Sequence, residues 1–444
     1  MTRLVIVGAD PGGMASISAA RLHDPDLEVV ALERGRHTSY SACGIPYLVG
    51  GEVDDVDRLV ARSPSAHRAN DIDVRLGHEV VAIDLDARTV DVRDLDGERT
   101  YALGFDRLLL AMGGRPIRPP LPGIDLPFVR GVQTLGDAED LLGLAEASEC
   151  RNVVVVGGGY IGLEMAEAFV HRGARVVLVE RSAQVMASLD PEMAALVTAA
   201  LQRHGVEVHL DTAVTGFEPG KVMTAVGAFD ADIVVLGIGV APNSDLAGAA
   251  GIELGVRGAV RVDRRQQTFA DGVWAAGDCC ESRHLVSGAP VHVPLGTVAN
   301  KQSRVAGTNI GGGYATFPGV LGTAISKICD TEVARTGLSS VEAKGAGFVF
   351  DVSTVQSTTR AGYYPGAEPM TTRFVVERNT GRLLGAQIVG GAGAAKRIDT
   401  CAVAITASMT VEQIVQLDLA YAPPFSSVWD PVLQAAREAI RAAR

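Results

Sequence analysis

One arrangement occurs twice in this sequence and restricts the fold more than any other feature. "RLVIVGADPGGMASISAARL", Arg3 to Leu22, runs a β-branched segment into a glycine turn and a small-residue helix, and "NVVVVGGGYIGLEMAEAFVHRG", Asn152 to Gly173, repeats the pattern. Each copy is followed by a second apolar strand ending in an acid: Glu33 closes "EVVALE" and Glu180 closes "RVVLVE". A glycine turn leaving a strand lets the backbone approach a pyrophosphate at the helix N-terminus, and the acid can accept hydrogen bonds from ribose hydroxyls. One copy alone is weak evidence, because an ordinary strand–turn–helix also produces it. Two copies about 150 residues apart, each with its acid, imply two dinucleotide sites. The second copy is intact, with Gly157, Gly159, Gly162 and Glu180, and with Tyr160 and Ile161 inside the turn. The first keeps Gly8, Gly12 and Gly13 but has Asp10 at the middle glycine, followed by Pro11. A carboxylate facing a phosphate is unfavourable, so the Asp10 side chain is expected to point away from it.

At 444 residues the chain exceeds one hydrophobic core, and two to four domains are expected. Its 51 glycines, 5% aromatic and 47% apolar content suit a glycine-punctuated α/β enzyme. A net charge of −12 argues against a nucleic-acid surface. The opening "MTRLVIVGAD" has an apolar run too short for a secretory segment, and no stretch is long enough to span a membrane. Six cysteines, at 43, 150, 279, 280, 329 and 401, give neither a disulfide framework nor zinc spacing, so no metal is expected. The chain reads as cytoplasmic, with reduced thiols. Cys150, Cys329 and Cys401 read as structural.

With two dinucleotide folds, a cysteine soon after the first and "GVWAAGDCC" at 272–280, the chain resembles the pyridine-nucleotide-disulfide oxidoreductases over essentially its whole length. "FDRLLLAMGGRP" resembles that family's hinge motif, with Met112 where threonine is usual; "ADIVVLGIGVAPN" resembles the return strand from the nicotinamide domain, and "GTVANKQ" follows as it does there. The resemblance implies a glutathione-reductase-like α/β fold of two Rossmann-like domains and an α+β C-terminal dimerisation domain. FAD would occupy 1–118 with 243–316, NAD(P)H would occupy 119–242, and 317–444 would form a homodimer that lends residues to its partner's active site. The implied FAD contacts are Gly8, Pro11, Gly12, Gly13, Glu33, Arg34, Ala111, Asp278 and Ala299. Those to the nicotinamide cofactor are Gly157, Gly159, Tyr160, Ile161, Gly162, Glu180 and Gly239. A carboxylate at Glu180 repels a 2′-phosphate and favours NADH, while Arg181 beside it keeps NADPH open. Cys279 and Cys280 would lie reduced beside the flavin.

The branch of the family turns on "HTSYSACGIPYLVGG", His37 to Gly51. Glutathione-reductase-like members carry a second cysteine five positions on, but here that position is Leu48. The segment resembles instead the single-cysteine branch: CoA-disulfide reductases, NADH oxidases and NADH peroxidases. Pro11 stands where the oxidases and peroxidases carry a histidine. "AGYYPGAEPM" and "LAYAPPFSSVWDP" resemble the tyrosine motifs of CoA-disulfide reductases, with Tyr421 at the catalytic tyrosine and either Tyr363 or Tyr364 at its companion. The chain departs from those enzymes at two CoA contacts, having Leu22 after Arg21 and Ala42 before Cys43. Ser39, Ala42, Arg21, Lys396 and Arg397 are expected around the thiol substrate, although Lys396 and Arg397 read equally well as a solvated pair at a helix start.

The implied reaction is NAD(P)H-dependent reduction of a low-molecular-weight disulfide or persulfide, CoA disulfide being the first candidate, through a mixed disulfide on Cys43. A helix beginning over Gly44 to Val49 is expected to lower the Cys43 pKa. Tyr421 and its companion would protonate the leaving thiolate across the dimer interface. Three alternatives stand beside this: an NADH oxidase cycling Cys43 through sulfenic acid, an electron-transfer reductase for a protein partner, and a non-catalytic redox sensor.

Overall fold

The computed structural model describes residues 1–147 and 150–442; the last two residues of the expected 317–444 segment lie outside them. The first β-branched run forms strand β1 (Arg3–Val7), helix α1 (Pro11–Arg21) follows the turn, and "EVVALE" forms β2 (Glu28–Glu33). β1 and β2 pair in parallel, Val5 opposite Val30. Their near-continuous burial is what a parallel strand covered on both faces requires. The full sheet runs Val273–Ala275, Arg107–Leu110, β1, β2, Ile72–Leu76. Its edge strand therefore arrives only after the chain has built a second unit. Helix Gly296–Ile310 lies directly on α1, at glycines: a Cβ on Gly307 would stand 2.1 Å from the Ser16 carbonyl oxygen, and one on Gly311 2.3 Å from that of Ala20.

The second unit repeats the first. Its parallel sheet runs Glu207–His209, Arg175–Val179, Asn152–Val156, Ile233–Leu236, Val129–Gly131, and helix Tyr160–His171 follows its glycine turn. The C-terminal unit is an antiparallel sheet, Ala324–Ile328, Thr331–Gly337, Leu383–Gly390, Pro369–Glu377, Phe350–Thr358. Its central strand, Leu383–Gly390, is buried throughout, and helices Ile398–Thr406 and Pro431–Ala442 share its core. The expected architecture of two Rossmann-like sheets with an α+β C-terminal unit is the one found.

A buried carboxylate joins the second and third units. Asp190 is 0% exposed and accepts from Ser340 N at 2.9 Å, Ser340 Oγ at 2.6 Å and Arg373 Nε at 2.6 Å. Hydrogen bonds and a charged partner hold its pKa below the usual carboxylate range despite burial. Among the described residues, no helix is long and apolar enough to cross a membrane.

Candidate active site

The two glycine turns have the same geometry. Gly8 and Gly157 both sit at φ +104°, a conformation only glycine adopts without strain. A Cβ on Gly13 would lie 2.1 Å from the Gly8 carbonyl oxygen, and one on Gly162 would lie 2.0 Å from that of Gly157. The acids are held alike as well. Glu33 accepts from Ala9 N at 3.0 Å and Gly35 N at 2.8 Å; Glu180 accepts from Gly158 N at 2.7 Å and Ser182 N at 2.8 Å. Each carboxylate is thus anchored to the turn it serves. Arg34 and Arg181 are exposed beside them.

Asp10 does not need to be glycine: its backbone is extended, at φ −101° and ψ −170°. Its side chain lies by Tyr40 and the Ser39 amide, Oδ1 is buried without a hydrogen bond, and burial with Glu33 nearby pushes the carboxyl up to about 7. The neighbouring Pro11 opens α1. The first turn closes against the segment that returns from the second unit. Gly12 approaches the Ala276 carbonyl and Ala111, and Gly277 approaches Ala299. This brings Gly8, Gly12, Gly13, Ala111, Ala299 and the segment carrying Asp278 together. The Asp278 backbone carbonyl is bound by His292 Nε2 at 2.7 Å, but among the described residues its carboxylate accepts no hydrogen bond, and burial pushes it up to about 6. An unpartnered acceptor beside a glycine turn fits the hydroxyl-bearing chain of a flavin nucleotide. In the second turn Gly159 caps the helix in an extended conformation, Tyr160 and Ile161 begin it, and Gly239, at φ +106°, lies on the segment returning from the sheet.

The loop carrying Cys43 is tied to the first turn: Ser39 N and Thr38 Oγ1 both donate to the Ala9 carbonyl, at 3.1 and 2.5 Å. Ser39, at φ +53°, also bonds His67 Nε2 through its hydroxyl at 2.9 Å. Cys43 is free and exposed in a single turn, Ala42–Gly44, ahead of the six-residue helix Ile45–Gly50. The expectation of a lowered pKa is corrected here. Desolvation first, then the Glu164 and Asp278 carboxylates, push the thiol up, and its own amide is the only opposing group. Glu164 was not foreseen. It projects from helix Tyr160–His171, accepts from Ser326 Oγ of the C-terminal sheet at 2.7 Å, and is itself raised by burial. The only trace in "GLEMAE" is an acid beside the buried Leu163, Met165 and Ala166.

The phenol of Tyr421 is raised above its ordinary value by the neighbouring Tyr363 phenol. Both are exposed, whereas Tyr364 is half-buried in a turn and its amide bonds the Ala361 carbonyl. The companion of Tyr421 is therefore Tyr363. The basic residues expected near substrate are engaged elsewhere. Arg21 donates to the carbonyls of Asn70 at 2.6 Å and Asp71 at 2.8 Å, Lys396 pairs with Asp399 at 2.5 Å, and the partly buried Arg397 pairs with Asp430 at 3.0 Å, so it is no solvated partner of Lys396. Cys279 and Cys280 are free and buried, and both thiols are pushed up by desolvation. Among the described residues one trio, Glu52, Glu167 and His171, could approach a cation, but Lys327 Nζ already holds Glu167 at 2.6 Å.

Residues 2–302 match the family described as Pyridine nucleotide-disulphide oxidoreductase, and 323–432 match its dimerisation domain. An NAD(P)H sulfur oxidoreductase (CoA-dependent) of Pyrococcus abyssi is 38% identical over 98% of this chain and 97% of its own. An NADH oxidase of Methanocaldococcus jannaschii is 34% identical over 99% of each. The structure of an NAD-dependent persulfide reductase from A. fulgidus superposes with a TM-score of 0.96 at 37% identity, covering 99% of this chain and 83% of that one.

Proposed function

This chain belongs to the pyridine nucleotide-disulphide oxidoreductases, and from that premise we propose that it uses NAD(P)H and FAD to reduce a low-molecular-weight disulfide or persulfide, CoA disulfide being the first candidate. The observation that carries this reading is Cys43: a free, exposed thiol, on a loop bonded to the flavin-domain turn, with no second cysteine on its helix. Its disulfide partner is the substrate.

The domains are assigned as 1–118 with 243–316 for FAD, 119–242 for NAD(P)H and 317–444 for dimerisation. Gly8, Pro11, Gly12, Gly13, Glu33, Arg34, Ala111, Asp278 and Ala299 would hold FAD, with Glu33 on the ribose and Asp278 on the ribityl hydroxyls. Bound there, FAD supplies two-electron transfer between nicotinamide and thiol. Gly157 to Gly162, Glu180 and Gly239 bind the nicotinamide cofactor, and the Glu180 carboxylate disfavours a 2′-phosphate, so NADH is preferred.

Cys43 thiolate attacks one sulfur of the disulfide RSSR, forming Cys43–S–S–R and expelling RS⁻. Tyr421, beside Tyr363, gives the leaving sulfur its proton, across a homodimer interface. Two electrons from NAD(P)H and a proton then release the second RSH and return Cys43. The sum is RSSR + NAD(P)H + H⁺ → 2 RSH + NAD(P)⁺. The enzyme is assigned to the cytoplasm, where such thiols are kept reduced.

The test is intact mass under non-reducing denaturation, with Cys43→Ser alongside. A reducible thiol adduct on wild type, absent from the variant, together with loss of disulfide turnover in Cys43→Ser, is the expected outcome. Full disulfide turnover by Cys43→Ser would overturn the proposal. A hydroxylated Cys43 with oxygen-dependent NADH consumption would favour the oxidase reading, which the Methanocaldococcus relative's name keeps in view.

A further inference from the structure

Tyr363 and Tyr421 stand on two irregular segments, 359–368 and 418–430, that contain neither strand nor α-helix. Nothing local fixes the distance between two hydroxyls on such loops. Among the described residues, two links bridge these segments. One is direct, Ala361 N to the Pro423 carbonyl at 3.1 Å. The other is the Arg397 guanidinium, whose Nη2 donates to Thr359 O at 2.9 Å on the first segment and to Phe425 O at 2.6 Å on the second. The same side chain is fixed from behind. Its Nε bonds Asp430 Oδ2 at 3.0 Å, and its Nη1 bonds Gly393 O at 2.5 Å. Asp430 is held in turn by Ser426 Oγ at 3.0 Å and Val432 N at 2.9 Å. Four of the five guanidinium donors are committed, and the side chain is 13% exposed, which leaves little capacity for a substrate phosphate.

We propose that Arg397 is a positioning residue: by bonding both loop backbones at once it sets where Tyr363 and Tyr421 stand relative to each other, and it does not contact the substrate. This rests on the reading above, in which that tyrosine pair protonates the leaving thiolate. The guanidinium holds Asp430 through Nε while Nη2 donates to both loop carbonyls; a lysine ammonium can keep the Asp430 ion pair, but its single nitrogen cannot stand at both positions.

The experiment uses full-length holoprotein of wild type, Arg397→Lys, Arg397→Ala and Tyr421→Phe, with flavin content and melting temperature as folding controls. Tyr40, Tyr47 and Tyr160 also ionise late, so the ultraviolet titration of Tyr421 is isolated as the difference between each protein and its Tyr421→Phe counterpart, and it should move back toward about 10 in both Arg397 variants. Disulfide turnover should fall about 100-fold in kcat with KM little changed, since the acid is misplaced and substrate binding is not. Low concentrations of guanidinium should restore part of the rate to Arg397→Ala and none to Tyr421→Phe. If Arg397→Ala does not fold, Arg397→Lys carries the titration and the kinetic comparison. A KM rise at unchanged kcat, or an unmoved tyrosine titration in either variant, would overturn the proposal. Full turnover by Tyr421→Phe would instead defeat the proton-donor reading, and the titration would still decide whether Arg397 positions the pair.

Discussion

Asp10 shows how a single residue can depart from its motif without breaking it. Its carboxyl rises from 3.8 to about 7 in the fold, desolvation first and Glu33 second, so the folded chain binds more protons than the unfolded chain between those values. Stability therefore falls as pH rises from about 4 to about 7, and changes no further on this account above that. Asp10→Asn, neutral at every pH, should be more stable than wild type at pH 8.5 by on the order of 2–4 kcal/mol relative to the difference at pH 4.5. Thermal melts of both proteins at the two pH values measure this, and an equal gap at both would refute it. The glycines and terminal acids were legible because their chemistry is local: a positive φ or a missing Cβ needs glycine wherever it occurs. The contact of Asp10 with Tyr40 was not, because it joins residues thirty apart through a loop with no periodicity. For the same reason the sequence suggested the wrong direction for the Cys43 thiol. It displayed the following helix, but not Glu164 arriving from another unit.

Elements were readable where burial imposes a pattern. The runs "RLVIV" and "NVVVV" could only be strands covered on both faces, and both became the centres of parallel sheets. Element boundaries that serve a distant partner were harder. Asp190 directly precedes Pro191 at the start of helix Pro191–Arg203 and reads as its cap, yet its side chain makes no cap bond and reaches Ser340 and Arg373 instead. Asp190→Asn leaves the partly buried Arg373 with Glu192, at 3.4 Å, as its only anionic partner among the described residues. The substitution should destabilise by about 3 kcal/mol, read as a lower denaturant midpoint. A midpoint unchanged from wild type would show that this joint contributes nothing.

At the scale of the whole molecule, the question is which chain serves which site. Tyr363, Tyr421, Phe425, Val428 and Trp429 are all exposed on one chain, as residues destined for a partner would be. If the tyrosines act across the interface, Cys43→Ser and Tyr421→Phe homodimers are each inactive, but a mixed dimer holds one complete site. After equal mixing and full subunit exchange, about a quarter of wild-type sites should recover, from random pairing in a two-fold dimer. Turnover measured before and after exchange checks this; no recovery would place both residues' work within one chain. The proposed dimer was legible only through resemblance, because an exposed aromatic residue in an irregular loop carries no sequence signal of its own.

The anchoring of Glu33 and Glu180 has a consequence for ligand capture. Each carboxylate is already bonded to two backbone amides of its own domain, so its torsions are frozen before any nucleotide arrives. Ordering a free glutamate costs roughly 1–2 kcal/mol. That cost is met once, when the chain folds, and on the proposed assignment an incoming ribose would encounter an acceptor that is already preorganised.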